Sequence, residues 1–387
     1  MRYLFIVQGE GRGHLTQALS LQQKLQEEGH EVVCALVGKS PARQLPQFFC
    51  RQFTAGGGRV VRFESPNFLP KAMNQHTNLL LSIAYNLLVM HRYVCSIMHL
   101  RRTIRQTQAD VVVNFYELLA GLTYLIFRPA VPMVCIAHQY SFLHPGYEFP
   151  PKANRLELLM LRFFTRITCI GASKILALSL RDMKAANGIT IVPPLLRHEV
   201  MELDAQRGNY LHGYMLNSSY APQVVDWHRA HPDVEMHFFW DKQGVAETTT
   251  VDNNLHFHRL NDRLFLQSMA GASAYATTAG FESVCEAIYL DKPLLMVPTH
   301  IEQVCNAYDT LRFATGSCAH TFDLDQLLAL TKEEVHNGAF RHWVRQADRI
   351  FVEQLSQPIP APAQRFVRMR RVAAECYAFA GAIRARF

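Results

Sequence analysis

Two hydrophobic patterns alternate along the chain: short apolar runs that end at small residues, and longer stretches with apolar positions three or four apart. Residues 3–7 form a run of the first kind, ending at Gly9. Such a run predicts a strand covered on both faces. Leu15, Ala18, Leu21 and Leu25 follow at helical spacing and Gly29 stops them, before residues 31–37 predict a second strand. A β-loop-α-β unit of this kind predicts an α/β domain with a parallel sheet. The pattern returns at 110–114, 131–137 and 174–180, and the double proline of 192–196 reads as a linker.

The second half restarts the same grammar. Strands are predicted at 210–216, 234–239, 272–276 and 294–297, with helices at 224–230 and from Phe281. This gives a first α/β domain over 1–191, a linker over 192–198, a second α/β domain over 199–354 and a helical tail over 355–387. The tail carries Arg365, Arg368, Arg370, Arg371, Arg384 and Arg386, read as a solvated basic face.

A chain of 387 residues, 49% hydrophobic and 18% charged, is globular and too long for one core. Its net charge of +7 fits a solvated surface, and equally an acidic partner such as a phosphorylated substrate or an anionic membrane surface. No nucleic-acid partner is expected. Nine cysteines without a CxxC pair, several inside apolar runs, predict reduced thiols in a cytoplasmic protein and no zinc site. There is no signal-peptide pattern and no run of 18 apolar residues. The apolar stretch 79–100, followed by Arg101, Arg102 and Arg105, is either a core helix with a polar end or a surface helix that docks on anionic lipid.

Candidate chemistry falls where strands hand over to helices. Gly9-Glu10-Gly11-Arg12-Gly13-His14 joins the first strand to the first helix. Gly11 and Gly13 would let a ligand approach the backbone. The third glycine of a dinucleotide fingerprint is replaced by His14, and no acid ends the second strand. His14 either takes a proton from an acceptor hydroxyl or bonds its own loop. In the second half, Thr277-Thr278-Ala279-Gly280 runs into a helix opening with Phe281, Glu282 and Ser283. Small residues at a helix start suit a pyrophosphate, Ser283 adds a hydroxyl, and Glu286 one turn later could accept two ribose hydroxyls. Pro298, Glu302 and Gln303 follow the next strand on the same rim, where the two polar side chains could meet sugar hydroxyls. Asp323-Leu324-Asp325 is read as a helix start capped by Asp323 rather than a metal site.

Gly280, Ser283 and Glu286 resemble the Gly-x-x-Ser-x-x-Glu core of the UDP-glycosyltransferases. Pro298, Glu302, Gln303, Asn306 and Ala307 are similar to their Pro-x-x-x-(Asp/Glu)-Gln-x-x-Asn-Ala segment. The opening GEGRGH resembles the bacterial MurG-like group, as do Asn114-Phe115-Tyr116-Glu117 and His138-Gln139. The resemblance implies a GT-B architecture, two facing Rossmann-like domains with a cleft between them, and a tail crossing back to the first domain. It implies an inverting, metal-independent transfer from a nucleotide-sugar co-substrate, UDP-linked, to an unknown hydroxyl acceptor, such as a lipid or a cell-envelope glycan precursor. No cofactor is implied. His14 would be the base, Thr278, Gly280 and Ser283 would hold the diphosphate, Glu286 the ribose and Glu302 and Gln303 the sugar. The backbone of Phe257, ending the strand Leu255-His256-Phe257, would meet the base. Asn114, Glu117 and His138 would lie on the acceptor side. Asn114 stands where relatives carry Asp, and Glu117 is a candidate substitute for orienting His14. Nucleotide-sugar 2-epimerases and non-catalytic nucleotide-sugar-binding proteins share the implied fold and are the rival readings.

Overall fold

The computed structural model describes residues 1–40, 44–66, 89–215, 218–242, 244–357 and 359. The chain divides into two units. The first takes 1–147, 153–197 and the described residues from 343 onward; the second takes 148–152 and 198–342. The Arg-rich tail of 363–387 and its expected crossing back, most of the apolar stretch before Met90, and Leu216 lie outside the described residues.

In the first unit, strands β1 (Arg2–Gln8), β2 (Glu31–Lys39), β3 (Arg59–Glu64), β4 (Val111–Phe115), β5 (Met133–Ala137), β6 (Lys174–Leu178) and β7 (Ile189–Val192) form one sheet. Its order is β3-β2-β1-β4-β5-β6-β7, and every neighbouring pair is parallel. Parallel pairs need crossovers, supplied here, except between β6 and β7, by helices α1 (Gly13–Glu27), α2 (Gln47–Ala55), α3 (Met90–Gln106), α4 (Leu118–Phe127) and α5 (Arg155–Thr168). Tyr3 to Val7 are fully buried because helices cover both sheet faces, which is why β1 reads as an unbroken apolar run. Two of these helix starts are capped by a side chain: Asn154 accepts from the N–H groups of Leu156 and Glu157, and Glu117 from that of Leu119.

The second unit repeats the plan. Strands β8 (Leu211–Met215), β9 (Met236–Trp240), β10 (Thr248–Thr250), β11 (Leu255–Arg259), β12 (Ala274–Thr277), β13 (Leu294–Met296) and β14 (Gly316–Cys318) form a sheet in the order β10-β11-β9-β8-β12-β13-β14. The pairing is parallel except for the edge pair β10–β11. Helices α6 (His198–Glu202), α7 (Ala221–Ala230), α8 (Asp262–Gly271), α9 (Phe281–Tyr289), α10 (Ile301–Thr310) and α11 (Leu324–Leu330) surround it. Asp323 accepts from the Gln326 N–H at 3.2 Å and caps α11, while Asp325 accepts from the Trp227 indole at 2.9 Å.

The chain changes unit between Arg197 and His198, inside the expected linker of 192–198, although Val192 still belongs to β7. The later boundary differs. The last elements are α12 (Gly338–Arg345) and α13 (Ala347–Ser356), and the first unit resumes at Trp343, earlier than 355. The physical reason is a set of long-range bonds: Trp343 Nε1 donates to Ser179 O at 2.9 Å, Tyr3 Oη to Leu355 O at 3.1 Å and Lys174 Nζ to Gln354 O at 2.7 Å, and Lys24 pairs with Asp348. The eight described cysteines are free thiols. Among the described residues no helix is long and apolar enough to cross a membrane.

Candidate active site

An open parallel sheet has a crevice where strand order reverses, because the loops leaving the two central strands diverge there. In the first unit that point lies between β1 and β4, and in the second between β8 and β12.

In the first unit the loop after β1 packs against β2. Gly9 N donates to Gly38 O at 2.8 Å, and a Cβ on Gly9 would lie 2.6 Å from Val37 Cγ1, so this close approach needs glycine. A Cβ on Gly11 would meet nothing within 4 Å, so that glycine leaves open space. Gly13 opens α1 and His14 follows in its first turn. His14 is 8% exposed. Its Nδ1 lies 3.2 Å from Gln17 Oε1, and its Nε2 lies 3.3 Å from Gln139 Nε2. Its ring lies 5.6 Å from that of Tyr116 and 6.3 Å from that of His138, nearly parallel to both. The carboxyl ends of β1, β4 and β5 thus bring His14, Tyr116, His138 and Gln139 together.

Asn114 and Glu117 do other work. Asn114 is buried at the end of β4, where its Oδ1 accepts from Glu117 N at 2.9 Å. Its Nδ2 donates to Thr168 O at 2.8 Å and to Glu117 O at 3.2 Å. These bonds hold the turn in which Tyr116 adopts φ +60°, a left-handed conformation costing a non-glycine residue about 1–2 kcal/mol. Glu117 Oε1 accepts from Ser65 Oγ at 2.6 Å and Leu119 N at 3.0 Å, while Oε2 lies over Gly38 without a hydrogen-bond partner. Burial is the main cause that pushes the Glu117 carboxyl up to about 7. The bonds from Ser65 and Leu119 oppose the rise, and the nearby Glu10 carboxylate adds to it. The expectation that Glu117 orients His14 is therefore corrected: its carboxyl faces the ends of β2 and β3, and Gln17 holds Nδ1 instead.

In the second unit β12 ends at Thr277, and Thr277 and Thr278 are buried. Ala279 takes φ +60° and Gly280 is the N-cap of α9. Asn306 Nδ2, from α10, donates to Ala279 O at 3.2 Å and pins this bend. A Cβ on Gly280 would meet only Ser283 Oγ, at 3.8 Å, so the approach to the helix start is open. In any α-helix the first-turn N–H groups have no intrahelical acceptor, and here that turn is Phe281, Glu282 and Ser283. Ser283 Oγ donates to Gly280 O at 3.3 Å. Glu286 lies one turn further in and is buried. Glu302 stands half-buried in the first turn of α10. Gln303 Oε1 accepts from both Thr299 N and Thr299 Oγ1 at 2.8 Å, so the amide nitrogen is the part of Gln303 left to donate outward.

Phe257 is a correction. It is the middle residue of β11, between Thr249 on β10 and Phe238 on β9, and its ring stacks on Trp240 at 4.6 Å. Its backbone belongs to the sheet and is not at a strand end. The strand looked finished at Phe257 because His258 and Arg259 are polar, yet the alternation from Leu255 onward marks a half-buried strand near the sheet edge. Gln17 is the site residue that sequence reading missed. Its signal was spacing, since position i+3 on a helix shares a face with position i.

The chain matches the family described as Glycosyl transferase family 1 over residues 1–331. No curated protein matches it. Among solved structures it is similar to the glycotransferase of kitacinnamycin, with 17% identity, TM-score 0.63, and coverage of 92% of this chain and 99% of that one. It is also similar to UGT2 of Phytolacca americana complexed with UDP-2fluoro-glucose and pterostilbene, at 13% identity, TM-score 0.57, and coverage of 98% and 99%. Arabidopsis thaliana UGT89C1 complexed with UDP-L-rhamnose matches at 15% identity, TM-score 0.54, and coverage of 97% and 99%. These likenesses establish the fold as GT-B, with two Rossmann-like domains.

Proposed function

The chain belongs to glycosyl transferase family 1 and is a glycosyltransferase; from that premise we propose that it moves a sugar from a UDP-linked donor to a hydroxyl acceptor with inversion at the anomeric carbon. The observation that carries the donor half is the pinned bend at Ala279, which fixes the open start of α9 at Gly280, on the helix that carries Ser283 and Glu286. A helix N-terminus favours a diphosphate by its dipole and its N–H groups. Glu286 is the acceptor for ribose hydroxyls, and the Gln303 amide and Glu302 carboxylate address the sugar. Two of the similar structures hold UDP-sugars or an analogue, which supports the choice of base.

In the proposed step an acceptor hydroxyl attacks the anomeric carbon on the face opposite the nucleotide. Its proton passes to His14 Nε2, a new C–O bond forms, and the bond to the diphosphate breaks with its electron pair leaving on UDP. First-turn N–H groups of α9 and the Ser283 hydroxyl stabilise the departing charge. Those donors carry the charge that a divalent ion would otherwise hold, so a chelator should leave turnover unchanged. A thermal-shift screen tests the donor: UDP and UDP-sugars should raise the melting temperature, and stabilisation by other nucleotides alone would overturn the assignment. His14→Ala should abolish transfer while UDP binding survives, and full retained turnover would sink the base.

One surface supports a lipid-side acceptor. Met90, Val94 and Met98 are exposed at four-residue spacing on α3, and Arg101, Arg102 and Arg105 follow on the same helix. An apolar stripe with cations beside it suits an anionic lipid surface. Vesicles of phosphatidylglycerol should float the protein at low salt. No flotation would remove this part of the proposal.

A further inference from the structure

His14 has an amide at each ring nitrogen, and the two amides define which nitrogen carries the proton. Gln17 Oε1 can only accept, so at 3.2 Å it takes a hydrogen bond from Nδ1–H. Gln139 Nε2 can only donate, so at 3.3 Å it meets a lone pair on Nε2. Both contacts select the same tautomer. We propose that Gln17 is a positioning residue that fixes His14 as the Nδ1–H tautomer and so reserves the Nε2 lone pair for the acceptor hydroxyl.

The proposal rests on His14 being the base. Three observations support it. His14 and Gln17 are both buried, so water competes little for the bond. They sit at i and i+3 on α1, so the helix itself sets their separation. Glu117, the side chain the sequence offered for this task, and Asn114 beside it are committed elsewhere: Asn114 to Glu117 and Thr168, and Glu117 to Ser65 and Leu119. When the hydroxyl displaces Gln139 and gives up its proton, Nε2 becomes N–H while Nδ1–H stays on Gln17. The orienting bond thus survives the step. An amide orients the ring without adding charge, whereas a carboxylate would also stabilise the imidazolium. This active site therefore separates orientation from basicity.

The test uses the full-length protein labelled with nitrogen-15 histidine, with His14 assigned by loss of its signals in His14→Ala. Near neutral pH the wild type should show the proton on Nδ1, and Gln17→Leu should lose that preference. A proton on Nε2 in the wild type, or an unchanged tautomer in Gln17→Leu, overturns the proposal. Kinetics supply a second readout, UDP release from UDP-GlcNAc with water as acceptor. Gln17→Leu should lower kcat about tenfold or more with KM for the donor unchanged. Gln17→Glu should restore kcat and move the acid limb of the pH profile up by about one unit, the effect of a carboxylate on a neighbouring cation. Equal losses in the Leu and Glu variants, with no movement of the limb, would reduce Gln17 to packing. If His14→Ala released UDP like the wild type, the base assignment itself would fall, while the tautomer spectra would still report on Gln17.

Discussion

Glu117 gives the first unit a pH-dependent stability that one substitution should erase. Its carboxyl is fully buried and its pKa is pushed up from 4.5 to about 7, chiefly by burial. A rise of that size is worth about 3 kcal/mol of preference for the neutral form. Below pH 4.5 the group is protonated in both the folded and the unfolded chain, and its contribution is fully present. Between 4.5 and about 7 the unfolded chain releases the proton while the folded chain keeps it. The folded state then binds more protons, so stability falls as pH rises, and the loss levels off above 7. Glu117→Gln imitates the neutral acid: its amide oxygen can accept from Ser65 and Leu119 as Oε1 does. The wild type alone would mislead, because His258 is shifted down to about 4, first by burial and then by His237 and His256. A depressed histidine loses its contribution as pH falls from 6.5 to 4, which opposes Glu117 over the same window. The difference between wild type and variant cancels His258. Urea unfolding followed by circular dichroism from pH 5 to pH 8 should show the variant gaining about 2–3 kcal/mol on the wild type across that range. Parallel curves would show that Glu117 titrates normally and would refute the reasoning.

Asp323→Ala should lower stability by about 1 kcal/mol in thermal or urea unfolding, the ordinary worth of an N-cap, and leave sugar transfer unchanged. Asn306→Ala frees the Ala279 carbonyl, and should weaken UDP binding about tenfold in calorimetry, with about 1–2 kcal/mol lost from the second unit. Gly121→Ala would drive a Cβ on α4 into the carbonyl oxygen of Ile167 on α5. Because that neighbour is backbone and cannot swing aside, expression should yield little folded protein, or a melting point lowered by an overpacking cost of about 3 kcal/mol.

The central strands were legible because burial on both faces writes itself as an apolar run. The edges were not. β3 breaks its apolar positions with Arg59, Arg62 and Glu64, β10 is three exposed threonines, and β7 sits against the prolines that suggested a linker. Each is half covered at most, or too short to show a period. The small-residue turns at 9–13 and 277–280 were legible as ligand-facing loops, since both join a strand to a helix. That Asn306 holds the second of them from 27 residues away could not be read from local pattern, because nothing in the spacing brings α10 beside that turn. The left-handed Tyr116 and Ala279 were likewise hidden, since neither is a glycine and only tertiary bonds hold them.

Asn114 shows why a position can depart from the sequences it resembles. The resemblance implies Asp there, and restoring it is the obvious way to try to improve the base. The bonds argue otherwise. Asn114 Nδ2 donates to two carbonyl oxygens, of Thr168 and Glu117, and only the Oδ1 bond to Glu117 N could be kept by a carboxylate. Asp would lose both donated bonds and set a buried negative oxygen against two carbonyl oxygens. It would also sit beside the turn of Glu117, whose own carboxyl already resists ionisation. Leaving buried partners unsatisfied costs about 1–3 kcal/mol each, more where a charge is involved. Asn114→Asp should therefore lower the melting temperature of the first unit. It should also slow transfer by releasing Tyr116 from the His14 ring, and the defect should ease at low pH as the new acid takes a proton. A variant as stable as the wild type and faster at neutral pH would mean that the amide is dispensable and that His14 is oriented from β4 after all, which would count equally against Gln17.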